Sequence, residues 1–397
     1  MPAAVWIVVV AGALIVSIGM GVRQTFGLFL SPMAADLGIG RETFGFALAI
    51  QQIMWGAFQP VMGAVADRFG SARVVAIGLA GYVVGLFVMG NATAAWHLDL
   101  GAGVLIGFAL SGTTFAVVLG AVGRVVAPEK RSLAFGLATA GGSFGQFVMA
   151  PVGQQLIAGA GWSGALLIMA AITAFTLPLA YLLCGRTAAP AGKREQTIAE
   201  AIREASGHSG FWYLNAGFFV CGFQVVFIAV HLPAYVGDLG LPASVGAMAL
   251  ALIGFFNIIG SWGCGVLGDK RSKKYLLSGL YALRSVVTVL FLFAPKTEIV
   301  VYLFASAMGL LWLGTVPLTG GLVAQIFGVR YMATLFGVVF FSHQLGSFLG
   351  AWLGGRLFDA TGSYDLMWWI SIALGVAAAA LHLPIADRPL RPAAQAA

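Results

Sequence analysis

Long apolar runs separated by short polar breaks dominate this sequence. A helix that crosses a bilayer needs about 20 mainly apolar residues. The runs that approach or exceed this length predict twelve spans, numbered 1 to 12 below, at residues 5–31, 43–66, 73–90, 100–126, 132–157, 162–184, 211–235, 243–267, 275–294, 299–326, 332–357 and 364–386. We therefore expect an all-α membrane protein with twelve transmembrane helices.

One long polar stretch, residues 185–210, divides the predicted spans into six and six. Within it, EQTIAEAIREA (195–205) has the periodicity of a short amphipathic helix. We interpret the stretch as a cytoplasmic linker that lies on the membrane surface. It would join an N-terminal six-helix bundle, residues 1–184, to a C-terminal six-helix bundle, residues 211–397.

The two halves resemble each other at an offset of about 201–202 residues. GVRQTFGLFLSP (21–32) aligns with GFQVVFIAVHLP (222–233), and Gly145 aligns with Gly346. Because each half has an even number of spans, both halves have the same orientation. The sequence therefore predicts a parallel repeat, with a pseudo-twofold axis along the membrane normal.

Charge is scarce and unevenly distributed along the chain. Only 9% of the residues are charged, whereas a soluble domain has about 25%. With a cytoplasmic N-terminus, sixteen of the 21 Lys and Arg residues lie on the cytoplasmic side and three on the other. Cytoplasmic loops carry such a basic excess, so both termini are predicted to be cytoplasmic. The net charge of +7 then reflects topology, and no nucleic-acid partner is expected. We expect a multi-pass protein of the bacterial inner membrane.

A single arginine, Arg23, interrupts the apolar sequence of span 1, nine residues before Pro32. A cation at the centre of a membrane helix costs about 2.5–3.5 kcal/mol on insertion scales. None of the 14 acidic residues falls in the middle of a predicted span, so Arg23 has no evident partner. We interpret it as the contact for an anionic substrate. The alternative is a structural arginine neutralised by carbonyls and glutamine side chains.

Other polar residues within the spans are candidates for the same substrate site. They are Gln24, Gln52, Gln59, Thr114, Gln146, Gln224, Asn257, Trp312, His343 and Gln344. A lone polar residue in a span more often joins helices than binds substrate. Arg284 in span 9 is a possible second cation, with a packing role as the alternative. His343 is the candidate for proton coupling, because imidazole titrates near neutral pH.

The loop between spans 2 and 3 carries the most specific motif. GAVADRFGSAR (63–73) resembles the loop signature of the major facilitator superfamily, and GVLGDKRSKK (265–274) resembles its shortened second copy. The resemblance implies the major facilitator fold, with rocking of two halves around a central site. From the charges at these helix ends we interpret Gly63, Asp67, Arg68, Arg73, Asp269 and Lys270 as a conformational latch of the inward-closed state. The alternative is a mere topology anchor.

Span 1 is similar to that of the bacterial monocarboxylate porter and oxalate/formate groups, in which a basic residue on this span serves substrate. The resemblance implies a secondary transporter of a small organic anion, a monocarboxylate above all, accompanied by a proton or a counter-anion. The span-4 arginine of many proton-coupled members is replaced by Gly103, so antiport by that route is not expected.

The alternative function is efflux of amphipathic or drug-like compounds, for which aromatic residues such as Trp55 and Phe58 could form a surface. Pumps for cationic drugs usually have a buried carboxylate, and none of the acidic residues falls in the middle of a predicted span. The sequence shows no nucleophile–base pair, metal-ligand cluster or phosphate-binding loop. We therefore expect no enzymatic activity, no catalytic or metal site and no cofactor, and a monomer in the lipid bilayer.

Overall fold

The computed structural model describes residues 3–114, 117–118, 121–122, 125–126, 131–183, 198–328 and 332–390. Within these residues the secondary structure is helical, and they contain no strand. The prediction of an all-α protein is confirmed.

The helices follow the predicted spans closely. Span 1 consists of Ala3–Gln24 and Phe26–Leu37. Span 2 is Arg41–Phe69, span 3 is Ser71–Gly90, and span 4 contains Ala95–Leu98, the π-helical Asp99–Leu105 and Ile106–Thr113. Spans 5 and 6 lie in Arg131–Ala174 and the 3₁₀ segment Leu177–Leu183. A short helix, Ile198–Ser206, precedes span 7. The remaining spans are Ser209–Asp238, Ala243–Lys270, Lys273–Phe293, Glu298–Leu311 with Thr315–Phe327, Met332–Thr361 and Asp365–His382.

Ten segments of the described residues are long and apolar enough to cross a membrane. One of them, Ala140–Leu183, contains both span 5 and span 6. Gly161 separates these two spans, because its φ of 70° interrupts the right-handed helix. Arg41–Phe69 is less apolar than these segments, and its 29 residues exceed the length that a bilayer requires. The chain is a multi-pass integral membrane protein.

Aligned glycines make equivalent contacts in the two halves. Gly145 in span 5 packs against the Ser17 carbonyl of span 1, and Gly346 in span 11 packs against the Phe219 carbonyl of span 7. In both places a Cβ atom would overlap the opposing carbonyl oxygen. The close approach of two membrane helices thus requires glycine at each position.

Spans 2 and 11 pack against each other across the two halves. Their contacts extend from the centre of the protein to its Arg41 end. Gly45 packs against the Ala351 carbonyl, and Gly355 packs against the backbone of Arg41. Gly56, nearer the centre, packs against the Gln344 side chain. In the predicted orientation the Arg41 end faces outwards, so the halves meet on the outer side.

Candidate functional site

A break in span 1 positions the predicted anion contact. The helix Ala3–Gln24 ends and Phe26–Leu37 begins after Thr25. The Thr25 hydroxyl donates to the Val22 carbonyl at 2.6 Å, which satisfies an oxygen where the helical hydrogen bonds are interrupted. Arg23 therefore lies in the last turn of a helix that ends inside the span, a position that favours a cation.

Arg23 is half-buried, and its side-chain hydrogen bonds are to amides. Its Nη1 donates to Gln24 Oε1 at 3.1 Å, and its Nη2 donates to Gln52 Oε1 at 3.0 Å. The guanidinium carbon lies 5.1 Å from the centre of the Trp55 ring, within the range of a cation–π interaction. Among the described residues no carboxylate pairs with Arg23, and its buried Nε has no hydrogen-bond partner.

Glutamine side chains connect the surroundings of Arg23 to the C-terminal half. Gln24 Nε2 donates to Gln146 Oε1 at 3.1 Å, and Gln146 Nε2 donates to the Leu250 carbonyl at 3.0 Å. From span 11, Gln344 Nε2 donates to the Gln52 carbonyl at 3.2 Å. Of the predicted site residues, Gln24 and Gln52 thus contact Arg23, and Gln146 and Gln344 are linked to it through them.

His343 lies beside this network on span 11. Its Nδ1 is 3.0 Å from Gln344 Oε1, which identifies Nδ1 as the protonated ring nitrogen because an amide oxygen only accepts. The imidazole also stacks on Phe340, with a centroid distance of 5.8 Å, and contacts Phe218 at 4.8 Å. His343 therefore reaches the surroundings of Arg23 through the Gln344 amide.

Trp55 is a site residue that the sequence analysis did not assign to the site. Besides its contact with Arg23, its indole N–H donates to the Thr114 hydroxyl at 3.1 Å. Its ring packs edge-on against Phe340 of the other half, at 5.8 Å. The sequence holds one signal for this role, because Trp55 follows Gln52 by three positions and so shares its helical face.

A small cavity lies beside Arg23, with space for about one water molecule. Its polar lining is formed by Arg23, Gln24, Gln51 and Gln52, and its apolar lining includes Phe26, Leu48, Val226 and Val230. The two span 7 valines resemble any others in a membrane helix, so no sequence signal distinguishes them. The site therefore lies between spans 1, 2 and 7, where the halves meet.

Arg284, the second buried cation, belongs to a different site. It is fully buried, and its guanidinium donates to the carbonyls of Leu311, at 2.7 Å from Nη2, and Trp312. These carbonyls lie at the end of the helix Glu298–Leu311, where span 10 breaks before Thr315–Phe327. A cation is favourable at a helix C-terminus. Arg284 thus satisfies the carbonyls at the end of this helix and does not line the cavity beside Arg23.

Two of the predicted site residues take part in other contacts. Gln224 Nε2 donates to the Ser371 carbonyl at 2.9 Å, and Gln224 Oε1 lies 3.4 Å from Arg284 Nη1. Asn257 Nδ2 donates to the Ser143 hydroxyl at 2.9 Å and so joins spans 5 and 8. The position aligned with Arg23 in the repeat, Gln224, therefore contacts the second arginine rather than the first.

Trp312 and Gln59 lie apart from the cavity beside Arg23. Trp312 is fully buried at the break in span 10. Gln59 is half-buried, and its Oε1 has no hydrogen-bond partner among the described residues. Gln59 follows Gln52 by two helical turns, about 10 Å along the axis, which accounts for its distance from the site.

The residues of the predicted latch are at the end of the molecule opposite Arg41. Arg68, Arg73, Asp269 and Lys270 are exposed, and Gly63 has no packing neighbour. The side chain of Asp67 lies outside the described residues. The latch stays a prediction, since the contacts that are described between the halves lie nearer the Arg41 end.

Comparison with known proteins places these features in a family. A model described as the Major Facilitator Superfamily matches residues 9–351. A transporter of Bacillus subtilis (strain 168), the uncharacterised MFS-type transporter YcxA, is 26% identical, and the alignment covers 94% of this chain and 93% of that protein. Monocarboxylate transporter 13 of Rattus norvegicus is 28% identical, with coverage of 90% and 83%. The oxalate:formate antiporter of Oxalobacter formigenes is 24% identical, with coverage of 97% and 93%.

The fold is similar to that of a solved bacterial homologue of the human lysosomal transporter Spinster. The structure determined in an inward-facing and occupied conformation has a TM-score of 0.76 at 15% identity, and the alignment covers 97% of this chain and 98% of that one. At this identity the likeness shows the fold alone.

Proposed function

Because this chain belongs to the Major Facilitator Superfamily and is a membrane transporter, we propose that it carries a small organic anion, with a monocarboxylate as the favoured class. The observation that carries the proposal is Arg23, a cation between the two halves that no carboxylate neutralises among the described residues. The relatives named as monocarboxylate transporters and as an oxalate:formate antiporter support the same class.

The charge of Arg23 requires compensation. Amide oxygens at 3.0 and 3.1 Å satisfy two of its N–H groups and supply no negative charge. A buried cation without a counter-ion raises the free energy of the protein. An anion that enters the site would pair with Arg23 and remove this penalty. The planar guanidinium fork matches a carboxylate, and Nε is a donor that has no partner in the described structure.

The neighbouring groups favour a short anion with an apolar portion. Gln24, Gln51 and Gln52 offer amide donors and acceptors on one side of the cavity, and Phe26, Leu48 and Val226 offer apolar surface on the other. The cavity has space for about one water molecule, whereas a monocarboxylate is larger. Substrate entry therefore requires the halves to move apart at this level.

Alternating access follows from this arrangement. The halves meet from the site to the Arg41 end, and the site lies between them, as expected for rocking around a central site. In the predicted orientation this conformation blocks the outer path. His343, linked to the network through Gln344, is our candidate for the group that couples proton movement to the substrate.

Binding to the purified protein tests the proposal. Lactate, pyruvate, acetate, oxalate and a dicarboxylate would be titrated by calorimetry against the wild type, Arg23→Gln and Arg388→Gln. Arg388 is an exposed arginine near the C-terminus and provides the matched control. We expect at least one monocarboxylate to bind the wild type and Arg388→Gln, and its binding to be lost in Arg23→Gln.

Two results would overturn the proposal. Binding that is indifferent to Arg23→Gln would assign Arg23 a structural role, with its charge accommodated by the amides and the helix end. Binding of neutral amphipathic compounds, with none of the acids, would favour the alternative of efflux.

A further inference from the structure

A cluster of charged residues joins the two halves at the Arg41 end. Arg41 Nη1 and Nη2 each lie 2.6 Å from an oxygen of Asp238 in span 7. Asp359 in span 11 accepts from the backbone N–H of Arg41 at 3.0 Å and of Glu42 at 2.8 Å, which stabilises the N-terminus of span 2. Together with Tyr364 and His231, these residues form what we call the Arg41 gate.

His231 is the buried member of the gate. It is 1% exposed, and its Nε2 lies 2.8 Å from the Ala351 carbonyl. Since a carbonyl only accepts, Nε2 carries the proton. Its Nδ1 lies 3.1 Å from the Tyr364 hydroxyl. Arg41 Nη1 donates to that hydroxyl oxygen at 3.1 Å, so the hydroxyl proton is free to point at Nδ1.

The hydrogen bonds of the closed gate therefore have a single direction. A phenol has an ordinary pKa of about 10, so the Tyr364 hydroxyl remains a donor at neutral pH. Arg41 donates to Tyr364, Tyr364 donates to His231 Nδ1, and His231 Nε2 donates to Ala351. All three hydrogen bonds form together only when the imidazole is neutral.

A second proton on His231 disrupts this series of hydrogen bonds. The Tyr364 oxygen, which already accepts from Arg41, would have to accept from Nδ1–H as well, and the Tyr364 proton would lose its acceptor. A second positive charge would also lie near Arg41. Tyr364 contacts the imidazole and the charge of Arg41 acts on it. The other ionisable groups of the spans packed at this end are Glu42 of span 2, Tyr235 and Asp238 of span 7, Asp359 of span 11 and Asp365 of span 12. Asp238 is already paired with Arg41, and Asp359 with the span 2 amides.

The ring also has little room to turn away. Gly354 and Gly45 pack against the imidazole, and a Cβ atom at Gly354 would lie 2.5 Å from ring atoms of His231. Separation of the halves therefore relieves a protonated imidazole, because it removes the Arg41 charge, frees the Tyr364 oxygen to accept from Nδ1–H and admits water.

We propose that His231 is a proton-binding site that controls the Arg41 gate. The closed gate requires the neutral imidazole, and proton binding opens the gate. Acid on this side of the membrane thus favours the conformation in which the path from the Arg41 end to Arg23 is open. The proton must leave His231 before the gate closes again.

Spin-label distances across the gate test the proposal in the full-length protein. The labels would be placed at Ala35→Cys and Ser244→Cys, two exposed positions at the Arg41 end of opposite halves. Cys184, Cys221 and Cys264 would be replaced by serine. Distances would be measured at pH 8 and pH 5 without substrate, so a negative result leaves the proposed anion transport standing.

We expect the ratio of open to closed gate to rise from pH 8 to pH 5, by up to about tenfold if the open state binds the proton about ten times more tightly. His231→Gln, which keeps one donor and one acceptor and does not titrate, abolishes the rise. His97→Gln, at the same end of the molecule, retains it. A second variant, Tyr364→Phe, raises the open fraction at pH 8, because it removes the hydroxyl that accepts from Arg41 across the halves. It also weakens the rise, because the hydroxyl connects Arg41 to His231.

Three results would overturn the proposal. They are a distance distribution that does not change with pH in the wild type, an unchanged pH response in His231→Gln, and an unchanged response in Tyr364→Phe if His231→Gln fails to fold.

Discussion

Gln146 accepts from Gln24 at 3.1 Å and donates to the Leu250 carbonyl of the other half at 3.0 Å. One side chain thus connects the neighbour of Arg23 to the contact between spans 5 and 8. Under the proposed function, an anion bound to Arg23 would compete for the hydrogen bonds of Gln24 and, through Gln146, would weaken the contact between the halves. This relationship offers a physical link between substrate binding and rocking.

The first prediction concerns this link. Gln146→Leu leaves the buried Gln24 amide without its acceptor, at a cost of about 1–3 kcal/mol. We expect a lower apparent unfolding temperature of the purified protein, measured by differential scanning fluorimetry. Gln155→Leu, at an exposed position of the same helix, is the control and is expected to stay close to the wild type. Equal stability of the two variants would contradict the prediction.

A second prediction distinguishes charge from geometry at Arg23. Arg23→Lys keeps the positive charge and loses the planar fork that pairs with both carboxylate oxygens. We expect the affinity for the bound acid to fall about tenfold, which corresponds to about 1.4 kcal/mol, in the same calorimetric titrations. Undiminished affinity in Arg23→Lys would show that a point charge suffices.

A third prediction separates the two buried arginines. Arg284→Gln leaves the carbonyls at the break in span 10 without their charged donor, and we expect a loss of about 1–3 kcal/mol for these unpaired groups. The apparent unfolding temperature therefore falls, while the folded fraction binds the acid within about twofold of the wild type. A loss of affinity comparable to that of Arg23→Gln would place Arg284 at the substrate.

A fourth prediction uses the repeat. Gly145→Ala and Gly346→Ala each introduce a methyl group against a carbonyl of the neighbouring span, and overpacking costs about 1–3 kcal/mol. We expect both variants to lose folded protein in size-exclusion chromatography. Gly237→Ala, at a helical glycine with open space around it, is expected to behave like the wild type.

Apolar runs and the polar breaks between them were sufficient to predict the spans. In lipid every backbone N–H and C=O group needs a hydrogen bond within the protein, and a helix provides these bonds within one segment. The exceptions are breaks within spans. Span 10 stops at Leu311 and resumes at Thr315. Gly314 and Pro317 mark the break in the sequence, but hydropathy does not show it. The Arg284 side chain satisfies the freed carbonyls there, and this contact comes from another helix.

The sequence identified the candidate polar residues of the site but not which of them contact Arg23. Gln52 and Gln59 lie on one face of span 2, and Gln52 contacts Arg23 whereas Gln59 does not. Which of them meets Arg23 depends on the depth at which spans 1 and 2 cross. A pattern within one helix does not contain that information.

By itself the sequence determined the helical membrane fold, the internal repeat and the presence of a cation without an acidic residue at its level, since these depend on composition and spacing. Only the tertiary structure decided that Arg23 contacts Gln24 and Gln52, that Arg284 binds the broken helix, and that His231 lies within hydrogen-bond distance of Tyr364. The reason is physical. Hydrogen bonds over a few ångströms depend on how helices cross, and the crossings arise from packing between residues far apart in the chain.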